Sequence, residues 1–559
     1  MNTTIADEGM WLFTNPPRKQ LKEKYGFEPT DKWLDHLQRS AVRFNSGGSG
    51  SFVSADGLVM TNHHVGADAL AKLSTPEHDY LNEGFHAKTR ADEIPCVDLE
   101  LNVLMKITDV TDKINAAVKA EMSPAESEKA RRAAMNTLEK EAKDQSGLRS
   151  NVVTLYQGGQ YHLYQYKQYT DVRLAFAPEI KIAFFGGDPD NFEYPRYDLD
   201  VCFFRVYEDK KPIKPEHYLK WSASGAKDGE LVFVAGHPGK TDRLNTVAHL
   251  EFMRDRTFPA MLTQLRRREV LLKNYAERST DNAFQAQDDL FGIQNSRKAQ
   301  LGGMAGLQDP VIMNAKRAAE EKLRGAIASN KDHAEAGKAF DVIDKSLHAF
   351  LPDVYEFGLL EGGQAFNSQL FHIAHTLVQA ADERAKPNAE RLREFSDAGL
   401  DSLQQELFSI APIYEALEIV KLADSLGFYQ EMRGGNGPLS PYTPPEAERR
   451  TELMNKVFAG KSPRSRAAEL VKGSKLMDVA ERKKLYEGGK AAIDASTDPM
   501  IQLAKLIDPA ARVVRKKYEA TVEEPLRQSY AKIARANSRS KGRTTTPTRR
   551  SRYVWRSAP

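Results

Sequence analysis

The chain has 559 residues, 41% hydrophobic and 28% charged, with 36 Gly, 27 Pro and 2 Cys. That composition excludes collagen, low-complexity disorder and a disulfide scaffold, and the length calls for two or three domains. Basic residues outnumber acidic ones by 80 to 77, yet residues 535–559 alone hold seven Arg, one Lys and no acid; the remainder carries 72 basic against 77 acidic groups, a balance of −5. The tail interleaves no aromatic residues beyond Tyr553 and Trp555, so no nucleic-acid partner is expected. No apolar run approaches the roughly 20 residues that cross a bilayer, and the start lacks the regions of a signal peptide; neither membrane insertion nor an export signal is expected. Cys96 and Cys202 fit no metal-ligand or CxxC spacing and are read as buried small hydrophobes, with a disulfide as the alternative.

The first third reads as short strands. Ser51-Phe52-Val53-Ser54 and Leu58-Val59-Met60-Thr61 flank Ala55-Asp56-Gly57, a strong hairpin signal. Residues 122–143 predict a polar Ala/Glu/Lys-rich helix between strand blocks. Strand signals resume at 151–156, 170–176, 180–185, 201–207 and 231–235, punctuated by Pro and Gly as in barrel or sandwich material. After about residue 250 the period changes: Leu262, Leu265, Leu272 and Tyr275 fall at helical spacing, and that pattern continues to about Ala536, broken by a Gly/Pro-rich loop at 434–445. No repeat of fixed length is present.

The hairpin leads into Thr61-Asn62-His63-His64-Val65-Gly66. Adjacent histidines point in different directions and offer no shared metal geometry. A hairpin ending in Thr-x-x-His before a small apolar residue is, however, where trypsin-like double β-barrels place their general base. Such a base needs a carboxylate to fix its tautomer and stabilise the imidazolium. Asp198 and Asp200 share a strand face, and Asp200 abuts the apolar run Val201-Cys202-Phe203-Phe204, which would draw it inward. Buried there it requires a hydrogen-bonding partner, which His64 would supply; the alternative is an exposed carboxylate at a strand start.

Several spaced motifs extend this likeness: Asp7-Glu8-Gly9-Met10-Trp11, Gly50-Ser51-Phe52-Val53-Ser54, Thr61-Asn62-His63-His64, Phe185-Gly186-Gly187-Asp188-Pro189-Asp190-Asn191-Phe192, Tyr194-Pro195-Arg196 and Gly236-His237-Pro238-Gly239-Lys240-Thr241. In that order they resemble bacterial dipeptidyl-peptidases 7 and 11, serine exopeptidases that remove dipeptides from peptide N-termini. The resemblance spans residues 7–535. It implies an α+β fold in which a trypsin-like double β-barrel (residues 1–250), incomplete at the C-terminus, carries a large inserted α-helical cap (251–535), followed by an aberrant basic tail (536–559). It also implies His64 as general base, Asp200 as its orienting acid, and Asn191 with Phe192 as part of the grip on the substrate amino-terminus. Phe192 stands where the family usually has Trp, keeping the ring and losing the indole donor. Asn295 is the cap residue that the resemblance assigns to the same grip, with a helix-surface amide as the alternative. No metal or organic cofactor is implied. The partners implied are a peptide with a free N-terminus and, because relatives are commonly dimers, a second copy; relatives are periplasmic or surface-exposed.

Two departures from the family stand out. Gly48 and Val65 occupy positions where many relatives have Cys, so packing is expected to hold the hairpin in place of a disulfide. The family's serine lies in a Gly-Asn-Ser-Gly type turn after the helical domain, and no such turn follows residue 250 here. The Gly48-Ser49-Gly50 stretch precedes the base and is read as a tight approach to the hairpin. The nucleophile is thus read as absent. The tail from Ala536 is read as an out-of-frame translation of the segment that would lead to it, leaving either negligible catalysis or a non-catalytic peptide-binding pseudo-protease.

Overall fold

The computed structural model describes residues 10–75, 77–239, 243–330, 333–433 and 444–541. The α+β class holds: the chain forms two compact units, one built on a large antiparallel sheet and one of helices. Of the described residues, those within 1–112, 138–245 and 530–559 form the sheet unit, and those within 113–137 and 246–529 form the helical unit. These limits depart from single cuts at 250 and 535. The polar helix Pro124–Ser146 starts in the helical unit and ends in the sheet unit, and the last described helix, Glu524–Lys541, runs unbroken through Ala536. The Thr246 hydroxyl caps the helix Val247–Phe252, which opens the second stretch of the helical unit, by accepting from the His249 N–H.

Among the described residues the sheet has eleven strands, β1 (Ala41–Phe44), β2 (Ser49–Phe52), β3 (Leu58–Thr61), β4 (Phe85–His86), β5 (Ile94–Pro95), β6 (Leu101–Asp109), β7 (Arg149–Leu155), β8 (Gln160–Tyr169), β9 (Asp171–Ala177), β10 (Cys202–Glu208) and β11 (Lys211–Pro212). Their order is β4-β9-β10-β3-β2-β1-β6-β8-β7, with β5 beside β9 and β11 beside β10. The expected hairpin forms with Ser51 opposite Met60 and Phe52 opposite Val59. Because strand side chains alternate, Val42, Phe44, Phe52, Val59, Leu101, Val103, Val172, Leu174, Phe204 and Val206 all face one core. Cys96 and Cys202 lie in that core as free, buried thiols. A second cluster, with Leu104, Leu155, Tyr164 and Tyr166, covers β6–β8 and takes Leu12, Leu244 and Ala534 against it.

Two expected strands are not strands. Residues 180–185 begin with a short helix, Ile180–Ala183, in which the Ile182 and Ala183 N–H groups both return to the Glu179 carbonyl. Apolar content suggested a strand there, but Ile182 and Phe185 are exposed and gain nothing from a core-facing pleat. Residues 231–235 pair with no strand among the described residues, and Val232 and Val234 stand exposed at 65% and 101%. The loop expected at 434–445 lies mostly outside the described residues; its last two positions open the helix Pro444–Phe458.

The helical unit buries Leu370, Ala374, Leu422, Leu426, Tyr429, Leu470, Met500, Ile501, Ala504 and Ile507 in one core. A polar network crosses it: Asp508 meets His375 at 3.2 Å, Gln379 at 3.0 Å and Arg512 at 2.6 Å, and Arg512 reaches on to Glu383. No helix among the described residues is long and apolar enough to cross a membrane.

Candidate active site

Strand register builds the centre of the site. Cys202 pairs with Thr61, so the chain entering β10 and the chain leaving β3 run side by side one step further. Asp200 therefore arrives opposite the start of the helix His63–Leu73. Its Oδ2 lies 2.7 Å from His64 Nδ1, and its Oδ1 accepts the His64 backbone N–H at 3.0 Å. The residue at the N-cap position, Asn62, makes no side-chain cap of its own. It turns instead to Asp200, its Nδ2 donating to the backbone carbonyl and to Oδ2, each at 3.1 Å. Asp200 thus caps the helix from another strand and holds the imidazole that the helix carries, with a negative charge where the helix dipole favours one.

Burial alone would raise the Asp200 carboxyl, but the hydrogen bonds and charge of His64 outweigh it and hold the group below the ordinary carboxylate range. His64 keeps half its side chain exposed, with Nδ1 engaged by Asp200. His63, on the inner side of the same helix, is buried; desolvation pushes its imidazole down against the Asp200 charge and a backbone hydrogen bond at Pro178. The two adjacent histidines divide into a half-exposed ring and a buried, neutral one, and no group of three or more potential metal ligands forms among the described residues.

The hairpin is held by packing against this helix. Gly48 has φ +144°, and a Cβ added there would lie 2.7 Å from both Val65 methyls. The glycine backbone and the valine side chain fill the same small space. Ser49 is occupied structurally: its hydroxyl accepts the His237 N–H at 2.7 Å, and its carbonyl accepts from Thr61 Oγ1 at 2.8 Å.

Asn191 and Phe192 follow the short helix Gly187–Asp190 in the segment that leads to Asp200. Gly186, at φ +77°, opens that turn, where a side chain would collide with Asp190. Asn191 is buried, with 7% of the residue exposed, and its Oδ1 accepts from Arg196 Nη1 at 3.1 Å. Phe192 adopts φ +70°, a left-handed backbone unusual for an aromatic residue. His64, Asp200, Asn191 and Phe192 all belong to the sheet unit. Asn295 belongs to the helical unit, half-buried on the long helix Thr280–Gln308. Sequence reasoning passed over Asn62 and Arg196. Their signal was available, since each sits inside a motif that named its neighbour.

An imidazole held through one nitrogen by a partly buried carboxylate is able to exchange a proton at the other. The chain belongs to the peptidase S46 family, whose model matches residues 6–548. That match continues past Ala536, where the sequence reading placed a break. The chain is 27% identical to a dipeptidyl-peptidase 7 of Capnocytophaga gingivalis over 558 residues, 95% of this chain and 73% of that one. It is 27% identical to an Asp/Glu-specific dipeptidyl-peptidase of Shewanella putrefaciens over 551 residues, 93% of this chain and 73% of that one. Among solved structures, Porphyromonas endodontalis DPP11 in complex with the dipeptide Arg-Glu superposes with a TM-score of 0.73 at 22% identity, covering 97% of this chain and 79% of that one. The chain is accordingly a hydrolase of a peptidase family with the DPP11 fold.

Proposed function

We propose that the site serves serine-type dipeptidyl-peptidase chemistry, releasing dipeptides from peptides with a free N-terminus. The observation that carries the reading is the 2.7 Å contact between Nδ1 of the half-exposed His64 ring and Asp200 Oδ2. With Nδ1–H donated to the carboxylate, Nε2 is left as the acceptor that takes a hydroxyl proton and later returns it to the leaving amine. Asp200 keeps the tautomer and stabilises the imidazolium. Asn191, with Phe192 beside it, accepts hydrogen bonds from the substrate ammonium. Amide carbonyls suit that task because they satisfy a cation without presenting a second full charge.

The reading assigns no nucleophile within these 559 residues, so the chain as given binds such peptides with negligible turnover. Calorimetric titration with Arg-Glu and with N-acetyl-Arg-Glu tests the binding half. At least tenfold tighter binding of the free dipeptide is expected; equal affinities would remove the N-terminus reading. A fluorogenic dipeptidyl substrate tests the other half, with release at the level of a His64→Ala control expected. Release well above that control would show a nucleophile within this chain and overturn the assignment of none.

A further inference from the structure

The Asn191 side chain is an amide whose two ends carry opposite hydrogen-bonding character, so its usefulness to an ammonium depends on which end faces it. Arg196 fixes that choice. A guanidinium only donates, so the atom of Asn191 lying 3.1 Å from Arg196 Nη1 is necessarily the carbonyl oxygen. The guanidinium is itself held on two further sides. Its Nε lies 3.0 Å from Asp198 Oδ2, and its carbon sits 4.7 Å from the centre of the Phe184 ring. Only 17% of the Arg196 side chain and 23% of the Asp198 side chain are exposed, so this ion pair is screened weakly. Asp198 also lies two residues before Asp200, in the stretch that delivers the acid to His64.

We propose that Arg196, anchored by Asp198 and the Phe184 ring, is a positioning residue that locks the Asn191 carboxamide with its oxygen as acceptor, and so sets the preference for a free amino-terminus. The inference rests on the proposed role of Asn191. A carbonyl oxygen has two lone pairs and accepts more than one hydrogen bond, so the contact with Arg196 fixes the orientation of the amide while the oxygen keeps the capacity to accept from an ammonium. Asp198 supplies the compensating negative charge, so the guanidinium does not repel the incoming ammonium as an unpaired cation would.

The test compares Arg-Glu with N-acetyl-Arg-Glu on the wild-type chain, R196Q, R196K and D198N. In R196Q the amide is released, and the ratio of the two dissociation constants is expected to fall at least tenfold through weaker binding of the free dipeptide, with the acetylated one unchanged. R196K, which keeps a cationic donor, restores part of the ratio, and D198N lowers it to an intermediate value. A loss of fold would weaken both ligands together and so is distinguished from the expected result. Should R196Q fail to fold, a crystal structure of the wild-type chain with Arg-Glu decides. Asn191 Oδ1 within hydrogen-bond distance of both Arg196 and the dipeptide ammonium supports the proposal, and an ammonium held elsewhere overturns it. Wild-type discrimination that survives intact in R196Q removes this inference alone, whereas wild-type indifference to acetylation removes the N-terminus reading and this inference with it.

Discussion

Asp200 does three things with two oxygens: it accepts the His64 ring, the His64 backbone N–H and the Asn62 amide. Asp200→Ala is therefore expected to cost about 1–2 kcal/mol of stability through the lost cap alone, read by chemical denaturation. Asn62→Ala leaves the ring contact in place and should cost less than half as much. Acid stability separates into two windows. His63 and His162 are both held low chiefly by burial, against the raising charges of Asp200 and Asp109 respectively, so protonation favours the unfolded chain. Their contribution is complete above the free imidazole value of about 6.5 and is lost as pH falls below it. The Asp200 contribution, from a depressed carboxyl, is lost only below about pH 4. The fall in melting temperature between about pH 6.5 and 5 should accordingly be roughly halved by His63→Gln. An unchanged slope would mean that His63 takes up its proton without unfolding.

The hairpin and its following helix meet at Gly48 and Val65, and the fit is tight enough to be tested by exchange of volume. Gly48→Ala should cost about 2–3 kcal/mol, from overpacking against the valine methyls and from a backbone that disfavours a side chain. Adding Val65→Ala should recover the overpacking part, so that the double variant is more stable than the sum of the two single changes predicts. On the same sheet, burial pushes the Cys96 thiol up to about 12 and Cys202 well above its usual value. Neither should react with a thiol reagent at neutral pH until denaturant is added.

Legibility in the sequence followed the same divisions. The hairpin could be read because Asp56-Gly57 and the flanking alternation state both turn and register locally. The acid could be read because an Asp beside an apolar strand needs a partner. What escaped was decided by distant neighbours. Residues 180–185 and 231–235 have strand composition but no strand to pair with among the described residues, and β6, ending at Asp109, pairs with β8, starting at Gln160, across 50 intervening positions. Arg196 was visible only as a motif letter until its contact with Asn191 gave it a task.

Across the whole molecule, the two units have differently built interiors. The sheet unit is held by alternating apolar side chains, the helical unit by an apolar core threaded with buried charge. Burial would raise the Asp508 carboxyl, but His375, Arg512 and Gln379 hold it down to about 2. Its stabilisation is present above the free carboxyl value of about 4 and lost as pH falls toward 2. Asp508→Ala should destabilise the helical unit by about 3–5 kcal/mol, since it leaves Arg512 and His375 without that carboxylate in a closed interior. A urea transition shifted by less than about 1 kcal/mol would show that the network is dispensable.

Nitrogen NMR of a histidine-labelled chain near pH 8 reads directly which nitrogen of His64 carries the proton. The Nδ1–H tautomer is expected in the wild-type chain, because Asp200 accepts that hydrogen, and its loss is expected in Asp200→Ala. A wild-type His64 protonated on Nε2, the form that neutral imidazole favours in water, would contradict the assignment of this pair as base and orienting acid.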